Sequence, residues 1–95
     1  MTVKVIIDRK VKNGKEPEFF ELLKELRAKA VSSEGYISGE TLRAVSDRHN
    51  YVVVSTWQSG DDWKKWAGNP VRTKIQAKIE KLMSRSTKTK LYVHA

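Results

Sequence analysis

The sequence predicts an α+β architecture in which an antiparallel sheet carries helices on one face. Three observations support this. Extended segments rich in β-branched residues alternate with helical segments whose apolar residues recur at three-to-four spacing, and Gly, Asn or Ser breaks separate them. The order is strand, helix, strand, strand, short helix, helix, strand.

Val3 to Val11 reads as the first strand, since its apolar run is too short for a helix and Asn13-Gly14 ends it. Lys15 to Val31 places Phe19, Phe20, Leu23, Leu26 and Ala30 on one side, Lys24, Glu25 and Lys29 toward the other, and Pro17 near the first turn. That is the pattern of an amphipathic helix. Ser32-Ser33-Glu34-Gly35 breaks it. Tyr36 to Val45 is a second extended segment, loosened by Gly39, and Tyr51 to Trp57 is a third. The third is apolar without alternation, which predicts burial on both faces. Ser46 to Asn50 gives the two a five-residue hairpin connection. Ser59-Gly60-Asp61-Asp62 offers N-cap chemistry for a short helix holding Trp63 and Trp66. Gly68-Asn69 stops that helix, and Pro70 opens the next, with Val71, Ile75, Ile79, Leu82 and Met83 as its apolar stripe. Thr87 to His94 is the last strand. Such an order fits a split β-α-β, ferredoxin-like sandwich. Helices then cover one sheet face only, and the apolar Val52 to Val54 predicts that self-association covers the other.

Ninety-five residues, 39% hydrophobic and 32% charged, predict one globular domain over residues 1–95. The absence of cysteine excludes disulfides and thiolate chemistry and fits a cytoplasmic setting. The apolar run at the start, interrupted by Lys4 and stopped by Asp8-Arg9-Lys10, is too short for a signal peptide or a membrane span. Nineteen basic against eleven acidic residues leave a net charge of +8, so nucleic acid, anionic lipid and anionic small molecules are all candidate partners.

All three tryptophans, Trp57, Trp63 and Trp66, fall within ten residues. They either seal the gap between sheet and helices or wall a cavity on which an aromatic ligand stacks; Trp57 suits the first role and Trp66 the second. Arg72 either anchors an anionic or phenolic ligand beside a helix N-terminus or pairs with Asp61 or Asp62 at the surface. Asp8 is a carboxylate in an apolar strand, where burial would raise its pKa toward that of a useful base; the alternative is a strand-end charge beside Arg9. Lys74, Lys78, Lys81 and Arg85 form a basic stripe, either a solvated helix face or a nucleic-acid track. Tyr51 to Trp57 lacks the basic-Gly-aromatic signature of RNA-recognition domains, so nucleic acid is not the expected partner. The only histidines, His49 and His94, lie in a turn and beside the last residue, and no metal-ligand cluster or glycine-rich phosphate loop is present. No metal and no cofactor is expected.

Trp57-Gln58-Ser59, Trp63, Trp66 and Asn69-Pro70, set in this element order, resemble the antibiotic biosynthesis monooxygenase (ABM) family over nearly the whole chain. The resemblance implies a homodimer, formed through the sheets into a dimeric α+β barrel, with a ligand pocket between sheet and helices of each subunit. Members of the family include cofactor-independent monooxygenases that oxidise polycyclic phenols or quinols with O₂, and a branch that degrades heme. On that analogy Trp66 and Asp8 are the catalytic-site residues, and Trp57, Trp63 and Arg72 bind an aromatic small molecule. The heme-degrading branch carries an axial histidine where this chain has Gln76, which cannot replace an imidazole on iron. Quinol-oxidising relatives carry histidines in the short helix, where this chain has Trp63 and Trp66. The expected function is therefore oxidation of an aromatic phenol or quinol, with a non-catalytic ligand-binding or regulatory barrel as the alternative.

Overall fold

The computed structural model describes all residues, 1–95. Its elements are β1 (Val3–Lys10), α1 (Glu16–Val31), β2 (Tyr36–Arg43), β3 (Asn50–Trp57), α2 (Gly60–Ala67), α3 (Pro70–Glu80) and β4 (Lys88–Tyr92). The four strands form one antiparallel sheet in the order β2-β3-β1-β4, the ferredoxin-like arrangement that the element order predicts. No helix is long and apolar enough to cross a membrane.

Period-two alternation in β1 sets the two faces of the sheet. Val3, Val5, Ile7 and Arg9 are buried, whereas Lys4, Ile6, Asp8 and Lys10 fall on the opposite face. The β1–β3 register, with Ile7 opposite Val53 and Arg9 opposite Tyr51, carries this division into β3. Tyr51, Ser55 and Trp57 are consequently buried toward the helices. Phe19 and Leu26 of α1 and Ile75 and Ile79 of α3 complete the core above the sheet.

Val52 and Val54 belong to the face without helices and are half buried, as is Val53 beside the cavity on the other face. One cross-strand row there runs Glu40, Val54, Ile6, Lys90 and the next Leu42, Val52, Asp8, Lys88. The unalternating apolar run of β3 thus serves the helical layer through Val53 and an open, apolar-centred sheet face through Val52 and Val54.

Helix starts follow their capping chemistry. Ser59 Oγ accepts from the Asp62 N–H at 3.1 Å to begin α2, and Asn69 Oδ1 accepts from the Val71 N–H at 2.8 Å to begin α3 with Pro70 in its first turn. The expected apolar stripe outlasts α3: the helix ends at Glu80, while Leu82 and Met83 are buried in the turn that follows. The end of β1 captures this turn, with Lys12 N–H donating to Leu82 O at 2.8 Å and Ser84 N–H to Lys10 O at 2.8 Å. β4 is exposed at every position, as befits an edge strand, and is shorter than the Thr87 to His94 segment the sequence suggests.

Gly14 and Gly35 both have left-handed backbones, φ 82° and 83°, but only at Gly35 would a Cβ collide with a neighbour, the Asp62 side chain. Gly14→Ala should therefore cost about 1–2 kcal/mol through backbone conformation alone, and Gly35→Ala distinctly more. Urea unfolding midpoints measure both, and equal losses would contradict the close approach of α2 to the Gly35 turn.

Candidate active site between the sheet and its helices

A cavity lies between the helical face of the sheet and the three helices. Ile7, Val53 and Trp57 contribute to its floor, Leu23 and Leu26 of α1 to one wall, and Trp63 and Trp66 of α2 to another. Its volume, counted as space open to the centre of a water molecule, is about 60 Å³. A single water needs roughly 10–15 Å³ by that measure, so the space takes several waters or a compact ligand.

The tryptophans are both core and wall. Trp57, 1% exposed, stacks on Trp66 with ring centroids 6.5 Å apart and planes 21° apart, and meets Trp63 at 5.8 Å and 65°. Its N–H donates to Ser55 Oγ at 3.0 Å, which satisfies the buried indole and locks the ring. Tyr36 closes the same cluster edge-on, 5.4 Å from Trp57. An irregularity in the β2 register between Tyr36 and Ser38 accompanies this placement, and the Tyr36 hydroxyl crosses over Gly39, where a Cβ would come within 2.8 Å of it. The glycine that loosens β2 in the sequence makes room for a phenol at the cavity.

Three guanidinium groups border this aromatic setting; that of Arg27 in α1 is exposed and donates from Nη2 to Gly39 O at 2.6 Å, and the other two are more deeply set. Arg9, on the inward face of β1, is 1% exposed; its Nη2 donates to Gln76 Oε1 at 2.7 Å, and its Nε and Nη1 are buried with no partner. Arg72, at the start of α3, lies over the Trp63 ring at 5.2 Å and has a buried, unpartnered Nε; its Nη1 reaches Ala67 O only at 3.4 Å. Neither forms an ion pair with a carboxylate; the four ion pairs of the chain involve Lys10, His49, Lys65 and Arg85. Burial, and secondarily the charge of Arg72, push the Arg9 pKa down to about 10, with Glu80 opposing the shift. Burial also lowers that of Arg72. Both remain cationic at neutral pH. A buried charge without its counterion costs several kcal/mol, on the order of 3–5 when a partner is removed.

Of the residues that the sequence nominates, Trp57, Trp63, Trp66 and Arg72 border the cavity together. The alternative pairing of Arg72 with Asp61 or Asp62 does not form, and Asp62 is instead engaged with the Ser59 cap. Asp8 is not brought to the cavity. Strand alternation carries it to the open face, where Oδ1 accepts from Arg85 Nη2 at 2.7 Å and from Asn50 Nδ2 at 2.6 Å. The Arg85 hydrogen bond leads in holding its carboxyl below the ordinary 3.8, outweighing partial burial, so its pKa shifts away from that of a base. His49 pairs with Glu16 at 2.6 Å, and Lys74, Lys78 and Lys81 are exposed. No group of three or more His, Cys, Asp or Glu residues comes together as a metal site. Arg9, Arg27 and Tyr36 are cavity residues that the motif reading misses; the signal for Arg9 is the phase of Val3, Val5 and Ile7, which continues onto position 9.

Fold and cavity define a ferredoxin-like α+β protein with a site between sheet and helices. Residues 2–78 match the antibiotic biosynthesis monooxygenase family, and the chain belongs to that family. Among solved structures, the chain is similar to a conserved protein from Methanosarcina mazei, with a TM-score of 0.92 and 17% identity over 97% of this chain and 91% of the other. SnoaB, a cofactor-independent oxygenase from Streptomyces nogalater, gives 0.88 and 17% over 99% and 93%. A protein from Mycobacterium tuberculosis gives 0.90 and 15% over 100% and 96%. At these identities the likeness concerns the fold. No protein of curated function matches the sequence.

Folding lowers the Asp8 pKa from 3.8, so its contribution to stability is complete above that value and is lost as pH falls through the lower folded value. The side chain is 37% exposed, which limits the effect of Asp8→Asn at pH 7 to a loss of up to about 1 kcal/mol. The gap from the unaltered protein should close in acid; urea midpoints compared across pH measure it, and a gap that stays constant would contradict the Arg85 pairing.

Proposed function

We propose that the chain is a cofactor-independent monooxygenase that oxidises an aromatic phenol or quinol with O₂ in the Trp57, Trp63, Trp66 cavity. The observation that carries this reading is the combination, in one small cavity, of an indole wall and two guanidiniums with buried, unpartnered nitrogens. Family membership supports the reaction class, and SnoaB is an oxygenase of the same fold.

In such a reaction the substrate supplies the electrons. A phenol with an unsubstituted ring carbon and one O₂ give a quinone and one water, so that one oxygen atom enters the ring and the other leaves as water. The protein's task is to favour the electron-rich phenolate, to hold the ring beside O₂ and to exclude water. Arg9 and Arg72 provide positive potential that lowers the pKa of a bound phenol. The indoles, Trp66 foremost, fix the ring plane and close the space to solvent. No carboxylate is positioned as a proton acceptor: Glu40 lies at the rim, on an exposed strand position opposite Val54. Ionisation is therefore driven by the guanidinium field, and the proton passes to solvent as the phenol enters, before the space is closed. The same lack of a base supports the second reading, a non-catalytic ligand-binding protein, which consumes no O₂.

The open sheet face, with Ile6, Leu42, Val52 and Val54 at its centre, serves as the dimer contact in this proposal, giving a dimeric α+β barrel. A cytoplasmic setting suits the cysteine-free chain.

Oxygen-electrode assays over a panel of monocyclic and polycyclic phenols and quinols should find a substrate that consumes O₂, with one labelled atom from ¹⁸O₂ in the product. Trp66→Phe should lower the rate and Trp66→Ala abolish it, the former guarding against the roughly 3–5 kcal/mol that truncation of a buried tryptophan costs. Ligand quenching of tryptophan fluorescence with no O₂ uptake would favour the binding protein. Light scattering should give twice the chain mass, and Val54→Lys should give the monomer; a monomeric parent protein would contradict the barrel.

A further inference from the structure

The proposed reaction requires only a phenol, yet the cavity holds more cationic donors than a phenolate oxygen can occupy. Arg9 presents two buried unpartnered nitrogens, Nε and Nη1, and Arg72 presents a third in its Nε. They belong to two side chains on different elements, β1 and α3, and both border the same cavity.

The protein does not neutralise them internally. Gln76 holds Arg9 by a neutral amide oxygen at 2.7 Å, and its own Nε2 donates onward to Glu80 Oε1 at 2.7 Å, so the Glu80 carboxylate is kept one side chain away. Gln76 therefore orients the guanidinium without discharging it. On the opposite sheet face, by contrast, Arg85 pairs directly with Asp8 at 2.7 Å. Beside the cavity, guanidinium nitrogens are buried with no carboxylate to meet them.

We propose that the ligand of this cavity is an aromatic hydroxy acid of about one ring, whose carboxylate is received by Arg9 and Arg72 together while its ring stacks against the tryptophans. The substrate class rests on the preceding reading of the site. A carboxylate matches the donor set better than any neutral group, because its two oxygens offer about four acceptor positions and stay charged at neutral pH. Guanidinium groups are suited to such oxygens by their fixed, planar donors. A ligand that fills the space displaces its water, and the aromatic surroundings then strengthen the contact. The volume of about 60 Å³ admits a compact ring in preference to a polycyclic system. Arg9 is thus a specificity-determining residue, with Gln76 its positioning residue.

The test compares para-hydroxybenzoate with para-hydroxybenzamide, the same shape without the charge, by calorimetry at pH 7 on the purified full chain. The acid should bind about tenfold or more tightly than the amide, as charge-assisted hydrogen bonds require. In Arg9→Met the preference should vanish while the ligand-free variant melts at the same or a higher temperature, since a buried uncompensated charge has been removed. Arg72→Met should reduce the preference independently, which keeps the proposal testable should Arg9→Met fail to fold. Equal affinity for acid and amide, or a preference that survives in both variants, would overturn it. Acid-selective binding without O₂ uptake would leave the anion site standing and reject the monooxygenase reading. Turnover of neutral phenols with no advantage for the acid would do the reverse.

Discussion

The buried guanidinium of Arg9 is the constraint around which the site is arranged. A strand whose inward positions run Val3, Val5, Ile7 places the next inward residue beneath α3, and in this chain that residue is an arginine with 1% exposure. Gln76 holds the group with a 2.7 Å hydrogen bond, and the cavity lies beside it. In the proposed complex a ligand anion would offset the cost of that buried charge.

The tryptophan cluster supplies the complementary constraint. Trp57 is anchored through Ser55 and sandwiched by its neighbours, so it transmits the sheet's rigidity to Trp66 and Trp63. Because α2 is capped by Ser59 and α3 by Asn69, the two indoles of α2 and the guanidinium of Arg72 are set against each other by short, defined turns. Apolar wall and cationic floor are thus built from the same core residues that stabilise the fold, and site and core cannot be varied separately.

Most of the fold was legible in the sequence, because helix periodicity and the glycine and proline breaks are local signals. The ends of α3 and β4 were less so: Leu82 and Met83 continue a helical stripe, but long-range pairing with the end of β1 takes over their backbone. Within the site, Trp57, Trp63, Trp66 and Arg72 were readable from spacing. Asp8, expected at the pocket, lies on the opposite sheet face, and Arg9 takes the inward position. Ile6-Ile7 makes β1 look apolar on both sides, so sequence alone draws the eye to the carboxylate as the anomalous residue. The pairing register sends Asp8 to Arg85, distant by 77 positions, and turns Arg9 inward to Gln76, distant by 67. Partners so remote in sequence leave no local pattern.

The central claim is that the unpartnered nitrogens of Arg9 and Arg72 receive the ligand against the tryptophan wall. A high-resolution crystal structure with para-hydroxybenzoate bound tests it most directly. The account predicts the ring stacked near Trp66 and carboxylate oxygens within hydrogen-bond distance of Arg9 and Arg72. A cavity filled only by ordered waters that satisfy both guanidiniums, with the acid absent or bound elsewhere, would contradict it.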